Sequence, residues 1–207
     1  MTVSFEQIEK NEFDLIVDEV YVGGTKGNIS DEIISKIFGV SNTSGIRFLN
    51  SDTVLPKIMV LYSDGENIDW PDYIDLETGT LTYYGDNRKP GHDIHSKKGN
   101  QKINEIFKAL YKENRDNIPP IFLMWKHPIP NSRSMKFMGL LVPGTIKKSN
   151  EDLIAMWFIK RNERFQNYKI KFTVLNENRI KSEWLKDIKN GNAISSKHAP
   201  KSWVQWI

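Results

Sequence analysis

The sequence contains no cysteine, which excludes disulfide bonds and metal sites built from thiolates. Its first residues, MTVSFEQIEKNEF, lack the basic segment and apolar core that mark a secretory signal peptide. No apolar run approaches the roughly 20 residues that a transmembrane helix needs. These absences predict a cytoplasmic protein that has no membrane partner.

Motifs for catalysis and cofactor binding are also missing. There is no P-loop and no dinucleotide fingerprint, and the scattered histidines form no nucleophile–base pattern. His92 and His95 have no further plausible metal ligands nearby in the sequence. The pattern nearest to a metal-dependent nuclease, Asp187-Ile-Lys189, lies in a stretch with helical spacing rather than on a strand. We therefore expect no cofactor, no metal and no cleavage activity in this chain.

Charge is distributed unevenly along the chain, although the net charge is only +3. Residues 1–80 hold 15 acidic and 5 basic side chains, whereas residues 81–207 hold 24 basic and 11 acidic side chains. A basic half of this size is typical of proteins that bind a polyanion such as nucleic acid. A lysine-rich solvated surface is the alternative that composition alone leaves open.

Hydrophobic periodicity predicts many strands and few helices. The predicted strands cover residues 15–22, 45–49, 57–62, 80–84, 121–125, 135–142, 153–159 and 168–175. The predicted helices cover residues 31–38, with Ser30 as N-cap, 101–111 and 179–189. Strands and helices do not alternate strictly, which favours an α+β fold: a strongly bent mixed sheet or barrel with a few flanking helices. No linker divides the chain, so we expect a single domain over residues 1–207.

The most specific stretch lies between residues 68 and 101. Asp75-Leu-Glu-Thr-Gly79 predicts an acidic hairpin turn, followed by Thr82-Tyr-Tyr-Gly85, a basic loop with several glycines, and Gly99-Asn-Gln101. This order resembles the core of SRA domains, the SET-and-RING-associated domains that bind methylated cytosine. The chain departs from their pattern by having one residue fewer between the glycine of the turn and Tyr83.

A wider resemblance extends over most of the chain. It is carried by five short segments: Val20-Tyr-Val-Gly-Gly24, Gly45-Ile-Arg47, Trp70-Pro-Asp-Tyr-Ile-Asp75, Tyr83-Tyr-Gly-Asp-Asn87 and Arg164-Phe-Gln-Asn-Tyr168. Together they resemble the N-terminal recognition domain of AspBHI/MspJI-type modification-dependent restriction endonucleases. The resemblance implies a PUA-like module that binds double-stranded DNA containing modified cytosine, with a nuclease domain fused to it or separate.

A protein that inspects one base must remove it from the stack, which costs a few kcal/mol, and must hold it between apolar faces. A carboxylate can accept a hydrogen bond from the cytosine amino group. The candidate pocket residues are Trp70, Tyr73, Asp75, Tyr83 and Tyr84. The resemblance implies that Asp75 reads the base and that Tyr83 stacks on it. The family's second tyrosine corresponds to Asp72 here, so Trp70 or Tyr73 is the substitute wall.

Each pocket residue also has an ordinary structural interpretation. Tyr83 could pack across the sheet, Asp75 could cap the turn, and Trp70 could fill the core. The same holds for the candidate DNA-contacting residues, because basic side chains often form a solvated surface. These are Arg47, Asn87, Arg88, Lys89, Lys97, Lys98, Arg161, Arg164, Asn167, Lys169 and Lys171.

The sequence therefore predicts a domain that binds DNA containing 5-methylcytosine or 5-hydroxymethylcytosine by base flipping and does not cut it. Two alternatives remain at this point. The chain could read another nucleic-acid mark, such as phosphorothioate DNA or modified RNA, or it could be a complete nuclease with an unrecognised site.

Overall fold

A computed structural model describes residues 2–50, 54–131 and 133–207. The strands are β1 (Thr2–Val3), β2 (Leu15–Ile16), β3 (Val20–Tyr21), β4 (Ile46–Leu49), β5 (Ile58–Ser63), β6 (Tyr73–Asp75), β7 (Thr80–Tyr84), β8 (Ile121–His127), β9 (Ser134–Pro143), β10 (Leu153–Lys160), β11 (Glu163–Val174) and β12 (Arg179–Ile180). The helices are α1 (Phe5–Glu9), α2 (Ile33–Phe38), α3 (Lys98–Tyr111), α4 (Ser182–Lys189) and α5 (Lys201–Trp206). Within these described ranges, no helix is long and apolar enough to cross a membrane.

The elements form two compact units. The first, here called the terminal unit, comprises residues 1–64, 119–141 and 175–207. The second, here called the central unit, comprises residues 65–118 and 142–174. Whether the two act as the single recognition domain that the sequence predicts stays a prediction.

The terminal unit is built on a mixed sheet. Strand β5 pairs in parallel with β8 and antiparallel with β4, while β9 pairs antiparallel with both β8 and β3, and β3 pairs in parallel with β1. The side chains of residues 58–61 and 121–124 are buried without alternation, as expected of strands covered on both faces. Helices α4 and α5 contact each other through Trp184 and Trp203, whose ring centroids lie 5.1 Å apart, and Trp184 also contacts Phe122.

The central unit is an antiparallel sheet with one long helix. Its strand order is β6, β7, β11 and β10. Helix α3 has an apolar stripe at helical spacing, formed by Ile103, Ile106, Phe107 and Leu110. Phe107 contacts Phe172 of β11 with ring centroids 6.1 Å apart, so the helix packs on one face of the sheet.

These strand pairings confirm the prediction of an α+β fold with a mixed sheet and few helices. Among the described strands, neither unit's sheet returns to its first strand, so neither is a closed barrel. The barrel half of the prediction is therefore wrong, because the period-2 pattern of a strand reports which face is buried and not which strand is its neighbour.

Three predicted elements need local correction. The strand predicted over residues 15–22 is broken by Asp18, which has a φ of 68°, into β2 and β3. Helix α2 is capped by Glu32, whose carboxylate accepts from the backbone N–H of Ser35, and not by Ser30. The helix predicted from residue 179 begins only at Ser182, because Arg179 and Ile180 pair with β2.

Candidate nucleic-acid interface

The candidate pocket residues lie on and beside the β6–β7 hairpin of the central unit. Tyr73 pairs with Thr82 and Asp75 pairs with Thr80. Residues directly opposite each other share a face, and alternate residues of a strand share a face. The side chains of Tyr73, Asp75 and Tyr84 therefore belong to the same face of the sheet.

Tyr83 belongs to the other face. It pairs with Ile170 of β11, which is two residues from Phe172, the contact of helix α3. Its side chain is fully buried there. The structure therefore does not bring Tyr83 together with Asp75, although the resemblance assigns both to one pocket.

An aromatic cluster of four residues lies on the face that Tyr84 occupies, which we call the tryptophan face. Trp70, Tyr84 and Phe165 are buried, and the half-buried Phe158 packs against them. The centroids of Trp70 and Phe158 lie 4.4 Å apart, and those of Trp70 and Tyr84 lie 5.8 Å apart at 63°. A base held between two rings needs about 7 Å between them, so Trp70 and Tyr84 do not form an open slot.

The two carboxylates near this cluster have different surroundings. The Oδ1 and Oδ2 atoms of Asp75 accept from the backbone N–H of Glu77 and the hydroxyl of Thr78, at 3.0 and 2.8 Å. The hydrogen bond from Thr78 is the main reason that the pKa of Asp75 is lowered. Asp75 thus stabilises the turn, as its structural interpretation predicts, and it is ionised at neutral pH.

Asp72 lies nearer to the aromatic cluster. Its backbone N–H donates to the carbonyl of Trp70 at 2.9 Å, and its Oδ1 accepts from the backbone N–H of Tyr84 at 3.0 Å. Asp75 pairs with Thr80, at the far end of β7 from Tyr84, which is about 13 Å away along a strand. The sequence shows Asp72 only as the position that corresponds to the family's second tyrosine, because hydrogen bonds between segments do not follow from spacing.

Two of the lysines predicted to contact DNA lie on the tryptophan face, as the register between β11 and β7 shows. Lys169 pairs with Tyr84 and Lys171 pairs with Thr82. Both side chains are half-buried, whereas Tyr73 on the same face is 52% exposed. The face therefore combines aromatic rings, two carboxylates and two cations, which is the chemistry needed to hold a nucleotide.

The basic loop between β7 and α3 is closed at its base by hydrogen bonds. The Asp86 carboxylate accepts from the backbone N–H groups of Gly99 and Asn100 at 2.9 and 3.0 Å, and the Asn100 side chain accepts from the backbone N–H of Asp86. Burial raises the pKa of Asp86. These bonds cap α3 and join the two ends of the loop, which stabilises its conformation.

The same loop is attached to β11. Asn87 is fully buried and its Nδ2 donates to the carbonyl of Gln166 at 2.8 Å, while His95 Nε2 lies 2.7 Å from the hydroxyl of Tyr168. Asn167, also fully buried, donates to the carbonyl of Gly85. Asn87 and Asn167 thus stabilise the loop, and their predicted contact with DNA stays a prediction.

The remaining basic candidates differ in accessibility. Lys89, Lys97, Lys98, Arg161 and Arg164 are exposed, and Arg88 is half-buried. Arg47, in the terminal unit, is 6% exposed; its guanidinium pairs with Glu32 at 2.7 Å and donates to the carbonyl of Ser44. Arg47 therefore contributes to the packing of that unit. A contact with DNA would require its side chain to leave the ion pair with Glu32.

A cavity of about 370 Å³ lies in the terminal unit, lined by Gly24, Thr25, Gly27, Asn131 and Arg133. Arg133 pairs with the buried Asp31 at 3.0 Å. A Cβ on Gly24 would lie 2.3 Å from the Asp31 side chain, so this glycine of the Val-Gly-Gly segment is required for packing. Among the described residues there is no cluster of side chains that could hold a metal ion.

Comparison with known proteins agrees with the resemblance. A family model described as restriction endonuclease AspBHI N-terminal matches residues 15–207. The DNA recognition domain of the cytosine modification-dependent restriction endonuclease LpnPI is 38% identical and covers 100% of this chain and 92% of that chain, with a TM-score of 0.89. The DNA modification-dependent restriction endonuclease AspBHI is 35% identical, covers 100% of this chain and 94% of that chain, and has a TM-score of 0.90.

A further structure, of the SUVH5 SRA domain with methylated CHH DNA, is 17% identical over 76% of this chain and 95% of that chain, with a TM-score of 0.43. A search among curated proteins found no match. With nearly its whole length matched by the family model, the chain belongs to the AspBHI N-terminal restriction endonuclease family.

Proposed function

We propose that this chain binds double-stranded DNA containing modified cytosine, as the recognition part of a modification-dependent restriction system. The observation that carries the proposal is the match over the whole chain, at 38% identity, to a domain described as the DNA recognition domain of LpnPI. The basic character of residues 81–207 agrees with a DNA partner. The modification is 5-methylcytosine or 5-hydroxymethylcytosine.

The base is received on the tryptophan face. Tyr73, exposed beside the Trp70–Tyr84 pair, provides an aromatic surface for a base that has left the stack. Lys169 and Lys171 contact the phosphates on either side of it. Tyr83 acts indirectly, by filling the core under the strand that carries Tyr84.

Asp72 is the carboxylate that reads the cytosine amino group. The resemblance implies this role for Asp75, but Asp75 lies at the far end of β7 from Tyr84. The Asp72 carboxylate accepts from the backbone N–H of Tyr84, and its own backbone N–H donates to Trp70, so Asp72 lies next to two residues of the aromatic cluster. An acceptor beside the rings favours cytosine, which presents a donor at N4, over thymine.

The test compares Asp72→Ala with Asp75→Ala on duplexes that differ only in one modified cytosine. We expect Asp72→Ala to remove most of the preference for the modified duplex and Asp75→Ala to retain it, with binding followed by fluorescence anisotropy at fixed salt. Loss of the preference only in Asp75→Ala would identify Asp75 as the carboxylate that reads the base. Equal affinity of the wild-type chain for both duplexes would contradict the proposed function.

The same binding measurement with phosphorothioate DNA and with modified RNA distinguishes the alternative ligands. Tighter binding to either of these than to the cytosine-modified duplex would show that the chain recognises that modification instead of modified cytosine.

We also propose that this chain recognises DNA without cutting it. Incubation of modified plasmid with the chain and Mg²⁺ or Mn²⁺ should leave the plasmid intact. Reproducible cleavage that is lost on changing one carboxylate would establish a nuclease.

A further inference from the structure

The β10–β11 hairpin carries large apolar side chains in solvent. Trp157 is 64% exposed and Ile159 is 69% exposed, whereas Phe158 between them points to the tryptophan face and contacts Trp70. Outward positions of a strand at a sheet surface are normally polar. An exposed tryptophan and isoleucine at alternate positions therefore mark a surface that contacts another molecule.

The neighbours of this apolar pair are basic. Ile159 pairs with Arg164 and Trp157 pairs with Gln166, so all four side chains share a face. The turn between the strands holds Arg161 and Asn162, whose φ values of 52° and 63° fit the tight two-residue turn of a hairpin. Exposed cations thus surround an apolar patch at a tip of defined backbone shape.

Charge decides which partner fits this surface. From Trp157 to Gln166 the hairpin has three basic side chains, Lys160, Arg161 and Arg164, against the single acidic Glu163. Arginines contact phosphates, while apolar side chains of this kind insert between base steps or stack on bases. Duplex DNA presents phosphates for the arginines and base steps for the apolar side chains. A second copy that packed its hairpin against this one would bring the same positive charge and be repelled.

The hairpin also lies beside the proposed base-binding face. Phe158 and Phe165 pack against Trp70, and Lys160 lies 4.0 Å from Asp69, next to that tryptophan. The basic loop is also attached to the hairpin, because the backbone carbonyl of Gln166 accepts from Asn87 Nδ2. DNA that contacts the loop and the tryptophan face would therefore reach the hairpin tip.

We propose that this hairpin is a second DNA-contacting element, which places Trp157 and Ile159, on the face opposite to the tryptophan face, against a base step next to the basic loop, with Arg161 and Arg164 on the flanking phosphates. The proposal rests on the proposed DNA-binding function. It adds a contact that does not read the modification. Its contribution is therefore the same for modified and unmodified duplexes.

The experiment measures affinity for both duplexes with Trp157→Ala, Trp157→Phe and Ile146→Ala. Ile146 is the matched control, because it is 86% exposed in the same unit but lies outside the hairpin. Stacking of one aromatic side chain on a base corresponds to about a tenfold change in affinity. We expect Trp157→Ala to weaken binding of both duplexes about tenfold with the preference retained, Trp157→Phe to recover most of the loss, and Ile146→Ala to bind normally.

The outcomes separate this proposal from the proposed function. If the wild-type chain prefers modified DNA and Trp157→Ala binds both duplexes normally, the hairpin proposal alone is wrong. If the wild-type chain shows no preference but Trp157→Ala still weakens binding, the proposed function alone is wrong. A wild-type dimer that Trp157→Ala converts to monomers, measured by light scattering, would show that a second copy covers the hairpin and would overturn the proposal.

Discussion

At the scale of single residues, the functional assignment depends on which face of the sheet each side chain occupies, because neighbouring residues of a strand point to opposite faces. Tyr83 and Tyr84 are adjacent in sequence, yet one is buried on the face covered by α3 and the other contacts Trp70. Tyr73, which pairs with Thr82, is on the Trp70 side and is half exposed. Three tyrosines within twelve positions therefore have three different roles.

Substitution separates these roles. Tyr83→Ala should lower the free energy of unfolding by about 3–5 kcal/mol, because it removes a fully buried aromatic ring. Tyr73→Ala should change the free energy of unfolding by less than about 0.5 kcal/mol and instead weaken binding of modified DNA. Urea unfolding and anisotropy titrations measure the two effects, with Tyr83→Phe as the control for the ring. A Tyr83→Ala variant of normal stability would contradict this division.

The turn carboxylate allows a test by pH. Because Thr78 and Glu77 donate to it, the folded-state pKa of Asp75 lies below its ordinary value of 3.8. A depressed folded-state pKa means that the contribution of Asp75 to stability is present above pH 3.8 and is lost as the pH falls through the folded-state pKa. An NMR titration of the side-chain carboxyl should show the low pKa, and Thr78→Val should raise it toward 3.8. An unchanged pKa in Thr78→Val would exclude this hydrogen bond as the cause.

At the scale of elements, buried amides attach the loop between β7 and α3 to the neighbouring strand β11. Asn100 and Asn167 are fully buried beside Gly85, and their amides bond to each other at 3.1 Å. A network of this kind fixes one conformation, because any displaced amide would be left buried without a partner. The exposed lysines of the loop therefore extend from a defined base.

A single added methyl group tests this network. A Cβ on Gly85 would lie 2.1 Å from Asn100 Oδ1 and 2.5 Å from Asn167 Oδ1, so the amides would have to move. Gly85→Ala should therefore lower the free energy of unfolding by about 1–3 kcal/mol and weaken DNA binding. Gly91→Ala is the control for the loop, although its φ of 81° adds a backbone cost. Hydrogen exchange should show faster exchange at the start of α3 only in Gly85→Ala.

At the scale of the whole chain, the contrast between an acidic first part and a basic remainder predicts salt-dependent binding. Each lysine that neutralises a phosphate contributes close to one unit to the slope of log affinity against log salt. Lys169→Ala should weaken binding of modified and unmodified duplexes alike and reduce this slope by about 1. Lys10→Ala, at the C-cap of α1, should leave the slope unchanged. An equal change in both variants would refute the assignment of Lys169 to a phosphate.

Strand β11 shows how much of the fold follows from sequence. Tyr168, Ile170 and Phe172 alternate with Lys169 and Lys171 along the chain, and the structure buries the first three while the lysines are half-buried, because period-2 burial is a local property. The break at Asp18 and the short strand β12 were missed. Their conformation depends on pairing with segments more than a hundred residues away, such as β9 for the Asp18 region and β2 for β12.

The family also followed from short motifs that are distributed over most of the chain. The sequence by itself determined the α+β class, the turn at residues 75–79, the basic loop and the membership of the AspBHI N-terminal family. Only the tertiary structure decided which tyrosine lies beside Trp70, that Asp72 contacts the cluster, and that Arg47 and Asn87 are buried in hydrogen-bonded positions. The physical reason is that a side chain's direction depends on strand register, and register is determined by partners that are distant in the sequence.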